Sequence, residues 1–131
     1  CWGEDYDSQV SDTPTTGTWT SISSGIYHNC AIDSSGAIQC WGYDSYAQVT
    51  NTPTTGTWVK SSCGRYHSCA IDNNGTIKCW GNDSNDQVSD APTNGVWTNI
   101  TSKENHNCAT NSNGNVYCWG YDNYDQVTGV P

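Results

Sequence analysis

The chain has 131 residues, room for one domain with one modest core. Hydrophobic residues make up 34%, Leu, Phe and Met are absent, and no apolar run approaches the roughly 18 residues of a membrane helix, which excludes a helical bundle and a helical bilayer span. Thirteen acids against four bases give a net charge of −9, which sets the surface against phosphate backbones and anionic membranes and leaves cations, neutral sugars and other proteins as partners.

What the chain does contain is Trp, Tyr, Val, Ile and Thr between Gly, Asn, Asp and Ser, the composition of short strands joined by tight turns. The string Cys-Trp-Gly begins at Cys1, Cys40, Cys79 and Cys118, a period of 39 residues, and periods of this size mark solenoids and propellers. Recurring in step are Asp5, Asp44, Asp83 and Asp122; Gln9, Gln48, Gln87 and Gln126, each followed by Val; Trp19, Trp58 and Trp97; His28, His67 and His106; Gly36, Gly75 and Gly114. The repeat divides the chain into a partial blade at 1–18 and blades at 19–57, 58–96 and 97–131.

In chain order, each unit opens with a loop of the type Thr-Pro-Thr-Thr-Gly and a strand beginning at Trp19, Trp58 or Trp97. Two further strands then flank Asp33-Ser34-Ser35-Gly36, a type I turn whose Gly takes the left-handed conformation that a bulged hairpin requires. Pairing Asp33 with Ala37 across it sets Ile32 opposite Ile38 and Cys30 opposite Cys40. Opposed cysteines on adjacent antiparallel strands lie within disulfide reach, which predicts bridges Cys30–Cys40, Cys69–Cys79 and Cys108–Cys118. A short outer strand is read at Gln48-Val49. The expected fold is all-β: propeller blades, each a three- or four-stranded antiparallel sheet. Ile32 and the disulfide lie on one hairpin face and Ala31 and Trp41 on the other, so each blade is expected to sit between neighbours.

The run HNCAIDSSGAIQCWGYDSYAQV resembles the regulator-of-chromosome-condensation repeat, in a secreted bacterial-type variant with a His-x-Cys-Ala strand and a Cys-Trp-Gly strand. The resemblance covers essentially the whole chain. It implies a β-propeller, usually of about seven blades, in a family whose roles include nucleotide exchange on a small GTPase, β-lactamase inhibition and assorted binding. The chain departs from the family pattern in two ways: Asp5, Asp44, Asp83 and Asp122 stand where Asn is usual, and Ser8, Ala47, Asp86 and Asp125 stand where Gly usually precedes the Gln. Fold alone does not carry any member's function over.

Eight cysteines at this density point to an oxidising compartment and a secreted chain. The three hairpin bridges leave Cys1 and Cys63, expected to pair within one chain or between neighbours. Three and a third blades do not close a ring, so the chain is expected to be part of a longer protein or to complete itself with copies of itself, as a closed oligomer or a fibre. Sequons at Asn74, Asn82 and Asn99 are glycan sites only in a eukaryotic source.

No nucleophile–base pair, phosphate-binding Gly loop or hydrolase elbow is present, so the expected role is non-catalytic. The His-x-Cys spacing offers zinc donors on one strand face, but a fourth ligand is missing and bridged sulfurs do not ligate; the histidines read as structural. Asp83 with Asp86 and Asp122 with Asp125 bring carboxylates into carbonyl-rich turns, the oxygen chemistry of calcium, in competition with simple capping of their own turns. The Cys-Trp-Gly tryptophans and the strand-opening tryptophans read as core, whereas the loop tyrosines Tyr43, Tyr46, Tyr121 and Tyr124 are the candidates for stacking on a glycan or contacting a protein. Two functional readings follow: a self-associating extracellular scaffold, or a recognition module, lectin or protein-binding, that uses its Tyr/Asp loops.

Overall fold

The computed structural model describes residues 1–129. Among them are nine strands and no helix: β1 (Trp19–Ser24), β2 (His28–Asp33), β3 (Ile38–Gly42), β4 (Trp58–Cys63), β5 (His67–Asp72), β6 (Ile77–Gly81), β7 (Trp97–Lys103), β8 (His106–Asn111) and β9 (Val116–Gly120). They form three antiparallel sheets in the orders β1-β2-β3, β4-β5-β6 and β7-β8-β9, one per repeat. These are blades 1, 2 and 3.

The hairpin turns set the register as the side-chain chemistry requires. Asp33 N donates to Ala37 O at 3.0 Å, Gly36 sits at φ 85°, and Asp33 Oδ1 accepts from Ser35 N and Ala37 N at 2.8 and 3.0 Å. Ile32 therefore pairs with Ile38, and Cys30 with Cys40. The bridges Cys30–Cys40, Cys69–Cys79 and Cys108–Cys118 all form, with Cα–Cα distances of 4.0, 4.0 and 4.1 Å. A bulge recurs where each first strand opens, between Trp19 and Ser21, Trp58 and Lys60, and Trp97 and Asn99.

The core lies between blades. Cys30, Ile32, Ile38 and Cys40 of blade 1 pack against Trp58, Cys63, Ala70 and Trp80 of blade 2; Cys69, Ile71 and Ile77 of blade 2 pack in the same way against Trp97, Ile100, Ala109 and Trp119 of blade 3. Blades 1 and 2 thus each have an outgoing face built on a disulfide and an Ile pair, and blades 2 and 3 an incoming face built on Trp, Ala and Trp. Burying both faces suits a chain with this little apolar material, since each such side chain contributes roughly 1.5–3 kcal/mol when fully buried.

Two expectations are corrected. Gln48-Val49 is not a strand: Val49 N and Thr50 N both donate to Asp44 Oδ1, at 2.7 and 2.9 Å, so the amides an outer strand would need are held inside a turn. Trp2, read as core with the other Cys-Trp-Gly tryptophans, is 93% exposed, whereas Trp41, Trp80 and Trp119 are buried.

Candidate functional site

The loops that follow β3, β6 and β9 carry the sequence-predicted site residues. In each, one aspartate builds the turn. Asp5, Asp44, Asp83 and Asp122 accept through Oδ1 from the backbone amides five and six residues on, at 2.6–3.1 Å. At Asp5 and Asp122 these amides hold the carboxyl below its usual range. At Asp44 and Asp83 slight burial works the other way, and the hydrogen bonds outweigh it. Asp86 and Asp125 are exposed and stand apart from this network in the left-handed region, at φ 57° and 56°. Asp83 and Asp86, and Asp122 and Asp125, each share one such turn. Among the described residues the one grouping of three metal-donor side chains is His28, Cys30 and Cys63, and Cys30 is committed to its disulfide.

The same loop gives the physical reason Gly is usual before the Gln. Ser8, Ala47, Asp86 and Asp125 all adopt positive φ, between 56° and 59°. Asp tolerates that conformation through local hydrogen bonding, whereas Ala has no such compensation. Ala47→Gly is therefore expected to stabilise the fold by about 0.5–1 kcal/mol and Asp86→Gly by less, read from urea midpoints; a destabilised Ala47→Gly would contradict the account.

The repeated His, Gln and Trp form a ladder between units. The Gln9, Gln48 and Gln87 carbonyls accept from the indole Nε1 of Trp41, Trp80 and Trp119 at 3.1, 2.9 and 3.0 Å. His28 Nε2 meets Ser68 Oγ, and His67 Nε2 meets Asn107 Oδ1, both at 2.8 Å. Both rings are buried; burial pushes the His28 pKa down to about 4 and lowers that of His67. The histidines are interblade pins, consistent with their structural reading. Cys63 is a buried free thiol at the junction of blades 1 and 2, 3.2 Å from Ser23 Oγ, and burial pushes its pKa up to about 11; Cys1 is free and exposed. The two do not pair with each other, and a buried, protonated Cys63 is an unreactive one.

Tyr43 and Tyr46 are brought together with three residues that sequence reasoning missed: Tyr27, Tyr66 and Arg65. Tyr66 is the hub, its ring centroid 4.9 Å from Tyr46, 5.6 Å from Tyr43 and 5.4 Å from Tyr27. The Arg65 guanidinium lies 5.0 Å from the Tyr66 centroid and 5.9 Å from that of Tyr27. The readable signal was that Tyr27, Arg65 and Tyr66 flank the repeated histidines while varying between units. Tyr121 and Tyr124, 6.1 Å apart, instead line a separate cleft of about 500 Å³ with Lys103, Glu104, His106 and Gln126.

The blade architecture matches solved propellers. The ectodomain of the receptor kinase CR4 from Physcomitrella patens is 27% identical at a TM-score of 0.68, with 78% of this chain and 30% of that one covered. The CRINKLY WD40 ectodomain of the receptor kinase ACR4 from Arabidopsis thaliana is 26% identical at 0.69, covering 79% and 37%. Yeast RCC1 (Prp20), in its complex with Kap60, shares the fold at a TM-score of 0.75 and 15% identity, covering 92% and 39%. The chain therefore spans about a third of the length of these propellers. Comparison with curated proteins finds no match. The profile of the regulator of chromosome condensation (RCC1) repeat matches residues 19–48, 58–87 and 97–126, one match on each blade. With its Cys-Trp-Gly strands, its interblade Gln–Trp ladder and these three matches, the chain belongs to the RCC1 repeat family.

Proposed function

We propose that this chain is a non-catalytic protein-interaction module that works outside the cell, and that the partner it accepts first is a second copy of itself. One observation carries the reading: the contact that joins blades 1, 2 and 3 has an incoming and an outgoing half, and in the described structure apolar residues of both halves are exposed, Ile22 on blade 1 and Val116 on blade 3. On blade 1, Ile22 is 60% exposed and Trp19 half-buried, beside an apolar cleft of about 340 Å³ lined by Thr13, Pro14, Trp19, Ile22, Ala31 and Trp41. On blade 3, Val116 is 46% exposed and Thr110 half-buried, at the positions where blades 1 and 2 bury Ile. Open apolar faces of this kind mark interaction sites. The outgoing face is the more polar half, which supports reversible association. Three hairpin disulfides and the two receptor-ectodomain neighbours support an extracellular setting.

Joining an incoming to an outgoing face is a head-to-tail contact, which builds rings or fibres. Sedimentation at concentrations rising to about 100 µM is expected to show mass increasing with concentration. Ile22→Glu and Val116→Glu are each expected to be monomeric, while their equimolar mixture forms a dimer, because each variant keeps one working face. A wild-type monomer throughout, or no rescue in the mixture, rejects the scaffold.

A further inference from the structure

We infer that the tyrosine cluster between blades 1 and 2 is a binding site for a pyranose sugar carrying a carboxylate, such as a uronic acid within a glycan. The internal repeat supplies the control. At the junction of blades 1 and 2 the loop positions hold Tyr43, Tyr46, Arg65 and Tyr66; at the junction of blades 2 and 3 the same positions hold Asn82, Asn85, Glu104 and Asn105. The backbone is the same at both. Tyr43 N donates to Tyr27 O at 2.9 Å, Asn82 N to Tyr66 O at 2.8 Å, and Tyr121 N to Asn105 O at 2.9 Å. Folding the loop therefore does not require tyrosine. The aromatic and cationic groups at this junction are surplus to the architecture.

The set has the chemistry of a sugar platform. Four rings lie with neighbouring centroids 4.9–6.4 Å apart, and Tyr46 is 44% exposed. Flat aromatic faces stack on the C–H face of a pyranose, and phenol groups hydrogen-bond to sugar hydroxyls. Arg65 adds the carboxylate. Its guanidinium lies against the Tyr66 and Tyr27 rings, which puts a positive charge beside the platform, and its N–H fork fits a carboxylate. The overall charge of −9 opposes any anion at long range, so the preference for a carboxylate sugar rests on the local Arg65 cation.

The test uses the Ile22→Glu chain, so that self-association does not enter, and follows amide shifts in NMR titrations with trigalacturonate, maltotriose and triglutamate. Trigalacturonate is expected to shift the resonances of Tyr46 and Tyr66 and to bind tightest. Tyr46→Ala is expected to weaken it by about tenfold. Arg65→Gln is expected to erase the preference for trigalacturonate over maltotriose while leaving maltotriose binding in place. The assignment is overturned by silence of the cluster to trigalacturonate, by triglutamate binding as tightly, or by an Arg65→Gln variant that keeps the preference. Unchanged melting of both variants shows that binding, not folding, has been read.

Discussion

Between pH 7 and pH 4.5 the folded chain is expected to lose about 2 kcal/mol of unfolding free energy through His28 alone, with His67 adding in the same direction. Burial holds both imidazoles neutral in the fold, at a folded pKa for His28 of about 4 against an ordinary value of 6.5. Because the folded value is depressed, the unfolded chain takes up the protons first. The stability is complete above pH 6.5 and drains away as the pH falls toward 4. The turn aspartates are also depressed, but as acids they keep their contribution above 3.8 and lose it only at lower pH, so the two windows separate. Urea midpoints measured at half-unit steps check this, and His28→Gln should flatten the slope above pH 4.5 while lowering stability at pH 7. A wild-type midpoint unchanged from pH 7 to 4.5 rules out the buried-neutral pins.

The second large effect is reduction of the hairpins. Each bridge closes a loop with a sequence separation of 10, which constrains the unfolded chain by about 2–3 kcal/mol. Loss of all three therefore removes a large part of the roughly 5–15 kcal/mol that holds a domain of this kind together. Full reduction is expected to unfold the chain at room temperature, seen as loss of the near-ultraviolet tryptophan signal. The double variant Cys69→Ser/Cys79→Ser, which removes the bridge of the middle blade, is expected to lower Tm by about 10 °C. A reduced chain that melts within a few degrees of the oxidised one contradicts a fold stapled blade by blade. The Cys30–Cys40 and Cys69–Cys79 bridges lie on the outgoing faces that form the core, so their sulfurs also provide packing that no Leu or Phe supplies.

What could be read along the chain was whatever depends on near neighbours. The Asp33–Gly36 turn, the pairing of Cys30 with Cys40, the apolar character of both faces and the blade period follow from turn chemistry and the two-residue alternation of a strand. They are decided within a few residues, and the repeat states them three times. The misread outer strand at Gln48-Val49 failed at the edge of that range. Competition for its amides came from Asp44, five residues away, and a backbone pattern alone does not rank a side-chain acceptor against a neighbouring strand. Everything made by one unit for another had to wait for the tertiary structure. The His28–Ser68 contact joins residues 40 apart, and the Trp41–Gln9 contact joins residues 32 apart. The gathering of Tyr27, Tyr43, Tyr46, Tyr66 and Arg65 arises only when two loops of one blade meet the loop of the next. Local propensity specifies each leaf. Which side chains share a junction is set by how leaves stack, a geometry that no single repeat contains.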